Sequence, residues 1–225
     1  MASDGSTAST RALHAVVLLV CVLSGTAVWS EEPFFQAAAV ATAALLLLPE
    51  RPPVLAWSAY AALLAGASIG LLGAPLPAAV SLGVGTGALV LLLAAAARLA
   101  ESLLPEPRLA IPCVAVVAGL LAMAPVWLGP AAEAFDWPAA ALDVLVAVSP
   151  LSTLAALAEV DYLRGAWFYA HTPVGSLRYG YAGPWTMSVG YALCGALCLA
   201  VDRVVLRSRA AQPGDRGKPP RRRVT

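Results

Sequence analysis

The stretch AAALDVLVAVSPLSTLAALA, residues Ala139 to Ala158, decides how this chain is organised. It is apolar enough and long enough to cross a bilayer, which takes about 20 mostly apolar residues in a helix. Yet Asp143 lies near its start and Ser149-Pro150 at its centre. Proline has no amide donor and clashes with the preceding turn, so a helix through Pro150 kinks or breaks. Two readings follow: two half-helices forming a re-entrant hairpin over 139–158, or a single kinked span.

Six further apolar runs surround it, at about 12–29, 34–48, 54–72, 78–103, 109–128 and 185–206. Long Ala/Leu runs without two-residue alternation read as helices, and a lone strand cannot satisfy its backbone in lipid. The 225-residue chain is 60% hydrophobic and 12% charged, with a mean hydropathy of +0.79. A soluble domain carries about 25% charged residues, so too little polar surface remains to coat a globule in water. The expected fold is therefore all-α: one polytopic membrane helix bundle over 12–206. A short polar tail (1–11) precedes it and a basic disordered tail (207–225) follows.

Charge selects between the two readings of 139–158. From Arg203 onward the chain holds seven Arg and one Lys, beside Asp202 and Asp215. Basic residues flanking spans favour the cytoplasmic side. With the N-terminus inside, Glu31 and Glu32 fall outside, Glu50 and Arg51 inside, Arg98 and Arg108 inside, and Glu133 and Asp136 outside. A full crossing by 139–158 would deliver the basic tail outside. A re-entrant element keeps it inside, giving six spans with both termini cytoplasmic in the plasma (inner) membrane. The tail reads as a topology anchor touching anionic lipid, with no nucleic-acid role.

Between 159 and 185 lie seven of the sixteen aromatics, among them Tyr162, Tyr179, Tyr181 and Trp185. They read as an external interfacial shelf. Asp143, Glu159, Asp161 and Arg164 form either a solvated patch or the mouth of a translocation pathway, and Asp161 and Arg164 are spaced to pair on a helix. Gly66 with Gly70, and Gly83 with Gly87, carry the G-x-x-x-G spacing that lets helices approach closely, within the bundle or in a homodimer seam.

Other chemistry is thin. Gly83-Val84-Gly85-Thr86-Gly87 lacks the lysine of a phosphate loop and sits inside a span, so no nucleotide site is expected. Cys21, Cys113, Cys194 and Cys198 have no metal-ligand spacing, so neither metal nor cofactor is expected. Ser149 with Asp143 and His171, or Cys113 with His171, would make an intramembrane hydrolase, but the spacing fixes no geometry.

Ser149-Pro150-Leu151-Ser152-Thr153-Leu154 through Leu163-Arg164, with Ala124-Pro125-Val126-Trp127-Leu128-Gly129-Pro130 before it, resembles type-2 ABC transporter permeases over about residues 85–206. In that family a re-entrant hairpin joins the fifth and sixth spans. The resemblance implies an exporter subunit with no catalysis on this chain, paired with itself or a second permease and driven by a cytoplasmic ATPase. The chain departs from the pattern in two ways. Only about ten residues precede the first run, and the link between the second and third runs is just Pro49 to Pro53. ATPase coupling would then fall on Arg98, Glu101, Glu106 and Arg108. A non-transporting membrane scaffold or accessory subunit is the alternative, with the hydrolase behind it.

Overall fold

The computed structural model describes residues 33–49, 53–164 and 179–211, with the side chains of the last two left out; the first apolar run, His14, His171 and the basic residues beyond 211 lie outside them. Among the described residues helices are the only regular secondary structure. The helices are α1 (Pro33–Leu46), α2 (Val54–Leu71), α3 (Leu76–Leu103), α4 (Ala110–Ala122), α5 (Ala124–Ala134), α6 (Ala139–Ala147), α7 (Pro150–Leu157) and α8 (Pro184–Ala211). Short 3-10 turns, Pro107–Leu109 and Tyr162–Arg164, lie between α3 and α4 and after α7.

Prolines set the starts. Pro53 and Pro75 stand at the N-caps of α2 and α3, and Pro150 is the first residue of α7. These are positions where a missing amide costs nothing, because the first-turn amides have no partner within the helix. Gly73 turns the chain between α2 and α3 at φ +87°, a conformation glycine alone adopts cheaply.

Among the described residues, α2, α3 and α8 are each long and apolar enough to cross a membrane, and counting each of two bent pairs as one span raises the number to five. α1 is a shorter apolar helix of 14 residues. Large apolar side chains such as Leu63, Leu71, Phe135, Leu193 and Val204 face outward, an arrangement compatible with a lipid surround.

α3 is the central post and packs against α2, α8, α1, α4 and α7. Against α2 the contact is made by small residues. A Cβ on Gly83 would stand 2.9 Å from the Ala62 carbonyl oxygen and 3.2 Å from Gly66 Cα, and one on Gly87 would stand 2.7 Å from Ala62 Cβ. Gly66, Gly83 and Gly87 thus meet inside the bundle at the α2–α3 seam. Gly70 lies at its looser end, 3.9 Å from Ala79 Cβ.

The pairing between α3 and α8 runs the other way. Gly85 neighbours Ser188, Leu91 and Leu92 neighbour Gly195, and Arg98 meets Asp202. Both sequences climb together, so α3 and α8 are parallel. The chain between the end of α3 and the start of α8 therefore passes from one end of the bundle to the other.

The run 109–128, expected as one straight span, is broken at Met123, with α4 and α5 bent by 48°. Pro125 has no amide for the Leu121 carbonyl and its ring crowds the preceding turn, so the helix breaks there and the Val126 amide turns to the Met123 oxygen, away from Ala122. Side chains reach carbonyls at the end of α4: the Trp127 indole N–H donates to the Leu120 oxygen at 2.9 Å, and the Ser149 hydroxyl donates to the Ala122 oxygen at 2.8 Å. A second difference lies at the far end. α8 continues to Ala211, past the expected start of the disordered tail at 207, because no helix breaker occurs before Pro213.

Candidate functional site

The segment 139–158 forms two helices bent by 84° at Ser149. Val148 ends α6, and Ser149 takes an extended conformation (φ −79°, ψ 116°) that lets Pro150 start a new helix. The Ser149 side chain does two jobs. It accepts the Ser152 amide at 3.3 Å as the N-cap of α7, and it donates to Ala122 at the end of α4. It is fully buried, and both interactions hold the hairpin tip against the broken α4–α5 pair.

The tip lies deep. Pro150, Leu151 and Leu154 border a small apolar cavity of about 130 Å³ with Leu89 and Leu93 of α3, Ala41 and Leu45 of α1, and Ala122. Leu89 and Leu93 are near the middle of the 28-residue α3. From the tip, α7 returns toward the start of α3, where Leu157 meets Gly85. The chain beyond α7 reaches Phe34 at the start of α1, whose ring lies 5.5 Å from that of Tyr162.

Hydroxyls accompany the returning arm. Ser152 Oγ is hydrogen-bonded to Tyr162 Oη at 2.9 Å, and Thr153 Oγ1 to Tyr191 Oη of α8 at 3.0 Å. Ser188 of α8, also buried, donates to the Pro184 carbonyl. Buried hydroxyls without partners would cost about 1–3 kcal/mol each, and those of Ser152 and Thr153 bind α7 to Tyr162 and to α8.

Both ends of the hairpin are held by the same short segment before α8. Asp143 accepts the Gly180 amide at 2.6 Å. Asp161 accepts Tyr179 and Tyr181 hydroxyls at 3.0 and 2.8 Å and pairs with Arg164 Nε at 3.4 Å. Arg164 also lies 5.5 Å from the Tyr179 ring centroid, within cation–π range. Burial, reinforced by the Asp161 carboxylate, pushes both tyrosine phenols well above their ordinary value. Asp143, Asp161 and Arg164 thus converge on residues 179–181. Glu159 does not join them: it is exposed, at φ +59° beyond α7, where the Val160 and Glu159 amides close the helix onto Ala155 and Ala156.

The coupling set divides. Arg98 Nε contacts Asp202 Oδ2 at 3.0 Å, and Ser102 Oγ donates to the other carboxylate oxygen. Asp202 is 1% exposed. Reading Asp202 as one acid within a basic tail missed this; its signal is an isolated acid inside the last apolar helix, which demands a partner. Glu106 and Arg108 remain exposed on the link between α3 and α4, and Glu101 is half-buried.

Comparison with family models, with curated proteins and with solved structures finds no match for this chain. The fold and site define an all-helical bundle compatible with a membrane, built round a hairpin folded back at Ser149-Pro150.

Proposed function

We propose that the chain is the membrane permease subunit of an ABC-type exporter, moving its substrate with ATP hydrolysed by a separate cytoplasmic subunit. In this reading 12–29, α1, α2, α3, the bent α4–α5 pair and α8 are the six spans. The α6–α7 pair re-enters without crossing, and both termini face the cytoplasm of the plasma membrane. One observation carries the topology. The parallel run of α3 and α8 supports it: an odd number of crossings between them favours only one of the two bent pairs as a span. The tip of α6–α7 midway along α3, with Asp143 and Asp161 both tied to 179–181, favours that pair as the one that turns back.

This arrangement agrees with the resemblance to type-2 ABC permeases, and the transport assignment rests on that resemblance. A permease homodimer or heterodimer is the implied working unit. With Arg98 engaged by Asp202, the exposed Glu106 and Arg108 are the better coupling contacts for the ATPase. Asp143, Ser149, Pro150, Asp161 and Arg164 then shape the external hairpin, and Glu159 stands outside the pathway.

A second reading, a non-transporting scaffold, is favoured by the interior itself: the cavity at the hairpin tip is small and apolar, and the hydroxyls beside it are paired. An intramembrane hydrolase is disfavoured because the Ser149 hydroxyl already donates to a carbonyl.

The test has two parts. Cysteines placed at the exposed positions Gly180 and Arg209 should label from opposite faces of sealed membranes; labelling from one face would sink the topology. A tagged chain co-expressed with an ATPase encoded beside it should copurify at fixed stoichiometry and drive ATP-dependent export in vesicles. A stable complex that neither holds an ATPase nor moves any solute would favour the scaffold.

A further inference from the structure

The end of the bundle where Arg98 meets Asp202 contains a second feature. A cavity of about 340 Å³ opens between the start of α2 and the paired α3 and α8, lined by Pro53, Leu55, Ala56, Arg98, Leu199 and Arg203 among others. Its lining is mixed, aliphatic residues of α2 and α8 together with Arg98 and Arg203. Arg98 directs its Nε at Asp202, its side chain is 38% exposed, and among the described residues it makes no second ion pair. Arg203 is exposed and makes no ion pair among the described residues. Two arginines against the one buried carboxylate leave the lining with a net +1.

We propose that this cavity binds a net anionic phosphate headgroup, whose charge no choline cancels, seated between Arg98 and Arg203, with the apolar part of a lipid lying along Leu55 and Leu199. Arginine suits this ligand because its planar fork meets phosphate oxygens in pairs. Val54, Leu55 and Ala56, the first residues of α2, line the same cavity, and a helix N-terminus favours an anion. Phosphatidylglycerol supplies both a phosphate and acyl chains, whereas free phosphate supplies only the charge. The site is distinct from the basic residues beyond 206 and does not depend on the transport assignment.

The experiment uses the full chain, delipidated in neutral detergent, and follows its melting temperature. Three additions are compared: phosphatidylglycerol, phosphatidylcholine and inorganic phosphate. Phosphatidylglycerol should raise the melting temperature, through preferential binding to the folded form, and phosphatidylcholine should not. Ala56→Trp fills the cavity at an exposed position without changing charge, and Arg203→Gln removes one exposed cation; each leaves the later basic residues in place. Either substitution should shrink the gain at least several-fold. Stabilisation by inorganic phosphate that is lost in both variants would support the phosphate site and assign its ligand to solution. Full retention of the gain in both variants, or equal gains from phosphatidylcholine and phosphatidylglycerol, would overturn the proposal.

Discussion

Arg98 and Asp202, 104 positions apart in the chain, meet at 3.0 Å and lock α3 and α8 in a parallel arrangement. Asp202 is buried, and its carboxylate oxygens are met by Arg98 and by the hydroxyl of Ser102. Removing one partner of a buried pair leaves an uncompensated charge, which costs more than losing the whole pair. Because Arg98 is partly exposed and its attraction is screened, we expect Arg98→Gln to cost roughly 2–3 kcal/mol. Arg98→Gln with Asp202→Asn should recover most of that loss. Denaturation of the single and double variants in one detergent measures the coupling, and additive losses would refute it.

Ser149→Ala removes both the cap of α7 and the donor to Ala122. A lost cap costs about 1 kcal/mol and an orphaned, partly buried carbonyl about 1–3, so the expected destabilisation is roughly 2–4 kcal/mol. Ser149→Thr retains a hydroxyl at the cap and should lose less. Unfolding midpoints separate the two variants, and an unchanged midpoint for Ser149→Ala would mean that the hairpin tip is held by packing alone.

At the α2–α3 seam, an added methyl at Gly83 would press on the Ala62 carbonyl, which is backbone and cannot swing aside. Gly83→Ala should cost about 1–3 kcal/mol through overpacking. Gly70→Ala, whose new Cβ finds ordinary contact at 3.9 Å, should be near neutral. Gly190→Ala, with nothing within 4 Å, should be neutral or gain up to about 1 kcal/mol from helix propensity. Thermal stability of the three variants gives the order, and equal losses at Gly83 and Gly190 would contradict the seam.

Tyr179 and Tyr181 should ionise only well above pH 10, held back first by burial and then by Asp161. A phenol whose folded pKa is raised keeps its full contribution to stability below its ordinary value near 10. That contribution is then lost as pH climbs above 10, so the protein should loosen in alkali. Asp161→Asn removes the neighbouring negative charge and should bring phenolate formation to lower pH, read by ultraviolet absorbance. A titration unmoved by that substitution would leave burial as the sole cause.

Local chemistry was legible in the residues. Apolar runs require helices in a nonpolar surround, Pro150 breaks 139–158, and Asp161 and Arg164 pair at the spacing expected. The break at Met123 was missed although Pro125 marks it. Proline near a helix start and proline inside a span look alike until the freed carbonyls are seen to find Trp127 and Ser149.

By itself the sequence determined a helical, membrane-compatible chain, the place of its sharpest break and its small-residue contact spacing, because each depends on composition or on neighbours a few residues away. Only the tertiary structure decided that α3 and α8 are parallel, that Asp202 belongs to Arg98, that Ser149 closes the end of α4, and that Asp143 and Asp161 share the segment 179–181. Those pairings join residues 18 to 104 positions apart. No local preference encodes them. They arise where packing brings a buried donor or charge against the group that satisfies it.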